Sequence, residues 1–162
     1  MGATKSDVVY TPRWCAEDMV NFFAPSGVIL EPCRGDGVFM DVLPPDAKWC
    51  EIAEGKDFYD WRDPVDWLVS NPPYSQTRKW LRHSYTIAKN ILYLVPFRNM
   101  TSGYGLLVEI RKFGWIKHIR LYGTGGKLNF PMGNAVAAFH IEKGYRGETG
   151  FTFFQEADDV LV

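Results

Sequence analysis

The chain has 162 residues, 46% hydrophobic and 23% charged, which excludes a disordered or fibrous protein and fits a single folded domain spanning 1–162. Three scattered cysteines, Cys15, Cys33 and Cys50, form neither a CxxC nor a Cys/His spacing, so no metal site and no disulfide framework is expected. With no apolar run long enough for a bilayer and no signal-peptide pattern, a soluble cytoplasmic protein without a membrane partner is expected.

In chain order, Thr11 and Pro12 predict an N-cap and first helical residue, opening a helix with Cys15, Met19 and Phe22 on one face. Val28-Ile29-Leu30 is a short, wholly apolar run, the pattern of a strand buried on both faces. A turn over 33–37 leads into a short helix ended by Pro44 and Pro45, and 48–52 reads as a second strand. Residues 67–70 form another short strand, closed by Asn71-Pro72-Pro73-Tyr74 and followed by a helical stretch over 77–89. Ile91 to Val95 is the clearest strand, stopped by Pro96; 104–113 reads as a helix, and 116–122 and 135–141 as strands. Strands alternating with helices predict an α/β fold with a mostly parallel sheet, whose ligands bind at the carboxyl ends of the strands.

Both special turns fall at such strand ends. Glu31-Pro32-Cys33-Arg34-Gly35-Asp36-Gly37 places two glycines where a strand turns into the next element, and glycine lets backbone approach a ligand closely. In Asn71-Pro72-Pro73-Tyr74 the prolines hold an extended backbone without N–H donors, so the carbonyls are left to accept hydrogen bonds. Asn71 adds a side-chain carbonyl and Tyr74 an aromatic face.

The net charge of −1 conceals an asymmetry. Between Gln76 and Lys127 stand Arg78, Lys79, Arg82, Lys89, Arg98, Arg111, Lys112, Lys117, Arg120 and Lys127 against Glu109 alone, whereas 41–66 is acidic. The basic block reads as a phosphate-facing surface of a nucleic-acid-binding protein.

Together these motifs resemble those of the class I, Rossmann-like S-adenosylmethionine-dependent methyltransferases, specifically the adenine-N6 group acting on DNA and RNA. The resemblance implies a sheet that is mostly parallel with an antiparallel last strand. Tyr10-Thr11-Pro12 resembles the element that helps hold the methionine end of the cofactor. The turn from Glu31 and Pro32 through Gly35 and Gly37 is similar to the cofactor loop, and Glu51 to the acid that binds the ribose hydroxyls. Asp57 and Phe58 resemble the pair beside the cofactor's adenine. Asn71, Pro72, Pro73 and Tyr74 resemble the catalytic motif, with Asn71 also at the cofactor. Lys127-Leu128-Asn129-Phe130 is similar to a later loop whose aromatic packs on the target base. The implied substrate contacts are Tyr74, Arg78, Lys79, Arg98, Lys127 and Phe130. The implied reaction is methyl transfer to the N6 amino group of adenine, with DNA favoured over RNA.

Two features depart from the family pattern. Only five residues separate Glu51 from Asp57, too few for a helical crossover, so the sheet is expected to be reduced at the edge after the second strand. The third strand is missing, antiparallel or replaced by a loop, and Glu54 is a possible substitute for Asp57. An edge left uncovered there would suit a homodimer contact. No target-recognition domain is discernible, so specificity falls to the loops at 75–82, 98–104 and 123–127 or to a second subunit. RNA adenine methylation, glutamine N5 methylation of a protein, and a non-catalytic nucleic-acid-binding subunit are the rival readings. His140 reads as structural, and of the six tryptophans Trp80, six residues past Tyr74, stands out as a possible base platform.

Overall fold

A computed structural model describes residues 9–124 and 134–156. Its elements are α1 (Arg13–Phe23), β1 (Ile29–Glu31), β2 (Lys48–Trp49), β3 (Val65–Ser70), α2 (Thr77–Ile87), β4 (Ala88–Pro96), α3 (Phe97–Thr101), α4 (Tyr104–Phe113), β5 (Gly114–Gly123), β6 (Val136–Lys143) and β7 (Gly150–Phe153). The strands form one sheet in the order β2-β1-β3-β4-β6-β5-β7. β2, β1, β3 and β4 pair in parallel; β6 runs antiparallel to both β4 and β5. The expected antiparallel strand is therefore β6, and β7 follows it, parallel to β5.

β4 shows why the sheet is buried on both sides. Ile91, Tyr93 and Val95 belong to the core under α2 and α4, while Leu92 and Leu94 belong to the core under α1. All five have no exposed surface. Each such side chain contributes on the order of 2 kcal/mol of transfer free energy, which an alternating polar and apolar strand could not collect on both faces. α2 reaches the sheet through Thr77, Trp80, Leu81, Ser84 and Ile87, positions that recur every three to four residues. His140 is buried in the sheet, stacked on Trp67 and bonded through Nε2 to Asn90 Oδ1 at 2.9 Å. Burial pushes its pKa down to about 4, so the ring is neutral near pH 7.

Several local expectations are revised. Pro12 has φ −58° and ψ 140° and sits at the N-cap without a side-chain cap, so α1 begins at Arg13 and Thr11 caps nothing. The helix expected before Pro44 is instead a run of turns, held by bonds such as Asp41 N to Gly37 O and Leu43 N to Phe39 O. Its bonds mix spans of three and four residues between Arg34 and Leu43, so no regular helical ladder forms before the two prolines end the segment. β2 is only two residues long.

After β2 the chain does not cross over to a further strand. It makes a 3-10 turn at Ile52–Glu54, pairs Glu51 with Lys56 in a single antiparallel bridge, and makes a second 3-10 turn at Phe58–Asp60 before entering β3. Of the arrangements open to the short 51–57 connection, a loop is the one adopted. The edge beside it carries Trp49, with the Arg34 guanidinium 4.1 Å and the Lys56 ammonium 3.5 Å from its ring centroid. Among the described residues no helix is long and apolar enough to cross a membrane.

Candidate functional site

The parallel strands β1, β2 and β3 end together, and the turns that follow them enclose a cavity of about 530 Å³ with the segment at 9–11. Its walls include Tyr10, Gly35, Glu51, Asp57, Asn71 and Trp80. The volume is in the range of small-molecule sites.

The first turn is pinned from below by Glu31, which is fully buried. Its Oε1 accepts from Cys33 N at 2.8 Å and from Ser70 Oγ, while Oε2 has no hydrogen-bond partner among the described residues. Burial pushes its pKa up to about 8, opposed in part by those two donors and reinforced by Glu51 and Asp36. Gly35 and Gly37 adopt φ of +55° and +91°, where a side chain is strained by about 1–2 kcal/mol. Neither glycine meets close protein atoms, so left-handed backbone is what the turn needs from both.

Glu51 braces this turn from the end of β2. Its Oε2 accepts from Gly35 N at 2.9 Å and its Oε1 from Ala53 N at 3.1 Å. Asp57 caps the next 3-10 turn, accepting from Tyr59 N at 2.9 Å. That turn delivers Phe58, buried and stacked on Trp80 with centroids 4.6 Å apart. Among the described lining residues, the carboxylates of Asp36, Glu51, Glu54 and Asp57 face a single cation, Arg34, which is itself paired with Glu54. A cavity with surplus negative charge, several acceptors and an aromatic wall suits a ligand bearing positive charge, hydroxyls and a flat ring.

Asn71 leaves β3 directly into this cavity. Its Nδ2 donates to the Val9 carbonyl at 2.9 Å and to Thr11 Oγ1 at 3.0 Å. Pro73 lines the cavity as well; Pro72 is buried beside it. Tyr74 is 8% exposed, and among the described residues its hydroxyl has no hydrogen-bond partner. Burial raises its pKa above the ordinary phenol value. The Tyr74 carbonyl accepts from Thr77 Oγ1 at 2.9 Å and from Asn99 Nδ2 at 3.0 Å, which ties the turn to α2 and α3.

The structure brings Tyr10, Thr11, Pro32, Gly35, Glu51, Asp57, Phe58, Asn71 and Pro73 to one cavity. Glu31, Gly37, Pro12, Pro72 and Tyr74 are not among its lining residues. Lys127 and Phe130 lie outside the described residues. Arg78 and Arg82 both pair with Glu109 at 2.7 Å, Lys79 lies 4.3 Å from the Tyr59 ring centroid, and Arg98 is exposed on α3. Trp80 sits on the buried face of α2 and meets the cavity beside Phe58. Val9, Gln76 and Asn99 were not apparent from sequence, because no spacing or motif connects them to Asn71 or Tyr74.

No protein-family model matches the sequence, and no curated protein matches it significantly. Solved structures do. A Listeria monocytogenes protein described as a class I S-adenosylmethionine-dependent methyltransferase superposes with a TM-score of 0.69 at 14% identity, covering 98% of this chain and 69% of its own. A methyltransferase subunit of a type I restriction-modification system from Streptococcus thermophilus gives 0.64 at 13% identity, covering 92% and 49%. A Pyrococcus horikoshii protein described as an RNA methyltransferase gives 0.59 at 14% identity, covering 85% and 88%. The fold is thus the Rossmann-like fold of class I methyltransferases. The chain spans about half the length of the restriction-modification subunit.

Proposed function

We propose that this chain is an S-adenosylmethionine-dependent methyltransferase acting on the N6 amino group of adenine in DNA. The observation that carries the reading is the convergence of Asn71 with Gly35, Glu51, Asp57 and Phe58 on one acid-lined cavity at the strands' carboxyl ends.

The donor set fits the cofactor: carboxylates for a cationic sulfonium and ammonium, Glu51 for a ribose diol, and the Phe58–Trp80 wall for an adenine. Tyr10, Thr11 and Pro12, with the turn from Glu31 and Pro32 to Gly37, would hold its methionine end. When bound, the cofactor supplies an electrophilic methyl group.

The chain's own residues then face a poor nucleophile, because the amino lone pair of adenine is delocalised into its ring. Asn71 Oδ1 and the Pro72 carbonyl each accept one amino hydrogen, so the nitrogen can pyramidalise and direct its lone pair at the methyl carbon. No strong base is required, and the proton is lost after transfer. Tyr74 stacks on the flipped base in this reading; since it is 8% exposed here, the arriving base must uncover it. Arg78, Lys79, Arg98 and Lys127 contact phosphates, and Phe130 packs on the target base.

RNA is the second reading. The structure described as an RNA methyltransferase is matched over most of both chains, without the large remainder of the restriction-modification subunit. The test is to incubate the protein and Asn71→Ala with S-adenosylmethionine and duplex DNA, single-stranded DNA or RNA, then digest to nucleosides and measure them by mass spectrometry. N6-methyladenine in one substrate, lost at least 100-fold in the variant, is the expected outcome. No methylated nucleoside from any substrate, with cofactor binding demonstrated, would overturn the proposal.

A further inference from the structure

The tie between Asn71 and the segment before α1 carries an inference that rests on the proposed reaction and deepens it. An asparagine amide has two unlike ends of nearly equal shape: the oxygen only accepts, and the nitrogen only donates. A catalytic role of the kind proposed needs the oxygen toward the substrate amine. A half-turn about χ2 would present donors to donors and abolish the interaction. Within the 71–74 turn the polar group that acts on the Asn71 side chain is the Tyr74 hydroxyl, which can either donate or accept and so does not select between these orientations.

We infer that Val9 and Thr11 form a two-acceptor clamp that sets the Asn71 amide, and that Thr11 is a positioning residue for the reaction. The Val9 carbonyl lies 2.9 Å from Nδ2 and can only accept, so a turned amide would set two oxygens against each other. Thr11 Oγ1, 3.0 Å from the same nitrogen, takes the second amide hydrogen. Two acceptors at separate points fix the amide plane, whereas one leaves it free to pivot. Thr11 is 7% exposed and lines the cavity, so once the cavity is filled no bulk water stands ready to replace its hydroxyl if it is removed. With the nitrogen end committed to the protein, Oδ1 is the end left to accept from a substrate. The clamp also explains why the Thr11 side chain caps nothing on α1: its hydroxyl serves β3's end instead.

Thr11→Val keeps the branched shape and removes the acceptor; Thr11→Ser keeps the hydroxyl. The first readout is independent of turnover: the side-chain amide pair of Asn71 in a nitrogen–proton spectrum, assigned by its loss in Asn71→Ala. The second is kcat at saturating cofactor, where any weakening of cofactor binding drops out. Thr11→Val is expected to shift the Asn71 pair and lower kcat about tenfold, the effect of one hydrogen bond. Thr11→Ser is expected to restore both. Adding Thr11→Val to Asn71→Ala should cost nothing further, because the positioning acts through the amide. An unmoved Asn71 pair in Thr11→Val, or a double variant clearly slower than Asn71→Ala, overturns the clamp. If wild type transfers no methyl group to nucleic acid, the proposed reaction fails while the amide pair still decides the clamp.

Discussion

The Ser70 hydroxyl donates to Glu31 Oε1 at 2.5 Å, joining the end of β3 to the end of β1 where neither residue is exposed. This bond couples the base of the glycine turn to the base of the 71–74 turn, so the two halves of the cavity share one buried carboxyl. Ser70→Ala should cost about 1–3 kcal/mol and raise the Glu31 pKa further, since the hydroxyl favours the ionised form.

Glu31 also predicts how stability follows pH. A carboxyl raised from 4.5 to about 8 on folding binds its proton more tightly in the native state than in the unfolded one. Its contribution is therefore fully favourable below the unfolded value and is lost as pH rises toward about 8. Chemical denaturation of wild type should show stability falling between pH 5 and 8 by on the order of a few kcal/mol. Glu31→Gln should flatten that slope, and an unchanged slope would mean that the proton sits elsewhere.

The Phe58–Trp80 stack makes a prediction about ligand binding. Trp80→Ala should lose about 3–5 kcal/mol of stability, because the ring is 6% exposed and belongs to the core. Trp80→Phe preserves most of that core, yet it shortens the cavity wall. Calorimetric titration with S-adenosylhomocysteine should show a severalfold weaker Kd for Trp80→Phe. An unaltered Kd would place the ligand away from this wall.

Glu109 holds two of the cations that would otherwise meet phosphate. Arg82 and Arg78 together draw its pKa down to about 2, so it is ionised at any working pH. The pairs are largely solvent-exposed and contribute little to stability. Glu109→Gln should therefore leave the melting temperature nearly unchanged while releasing both guanidinium groups. Binding of duplex DNA should tighten, with a salt slope steeper by about one to two units. A slope no steeper than wild type would exclude Arg78 and Arg82 from the contact surface.

Asp18 and Arg120 form the opposite kind of pair. Arg120 donates to both Asp18 oxygens, at 2.6 and 2.8 Å, and the Tyr122 hydroxyl adds a third bond at 2.7 Å. The two charged side chains are 17% and 14% exposed. Asp18→Ala should cost about 3 kcal/mol by leaving a guanidinium unpaired, whereas Glu17→Gln on the same helix, paired at the surface with Arg13, should cost less than about 0.5 kcal/mol. Denaturant midpoints compare the two directly.

The amino-acid sequence by itself determined the elements whose cause is local. The apolar run Ile91 to Val95 and the periodic stretch Tyr104–Phe113 became β4 and α4, because a double-faced strand and a one-faced helix carry their burial pattern within a few residues. The short 51–57 connection likewise excluded a helical crossover by length alone, and the sheet edge is reduced there. Both turns that line the cavity were legible for the same reason, as glycines and prolines act on their own backbone.

Tertiary structure decided what depends on neighbours distant in the chain. Gly150–Phe153 is a strand only through its register against β5, since Phe151 and Phe153 are both 57% exposed and bury no face of their own. The basic block reads as a phosphate-facing surface, yet Arg78 and Arg82 meet Glu109, Lys89 meets Asp66, Lys117 meets Glu142 and Arg120 meets Asp18. Trp80 was visible as an aromatic close to the 71–74 turn, but its helical phase turned it inward against Phe58. The orientation of the Asn71 amide rests on acceptors some sixty residues away, at Val9 and Thr11. Propensity and patterning act over a few bonds, whereas a side chain's partner is set by which strands and helices the fold lays side by side.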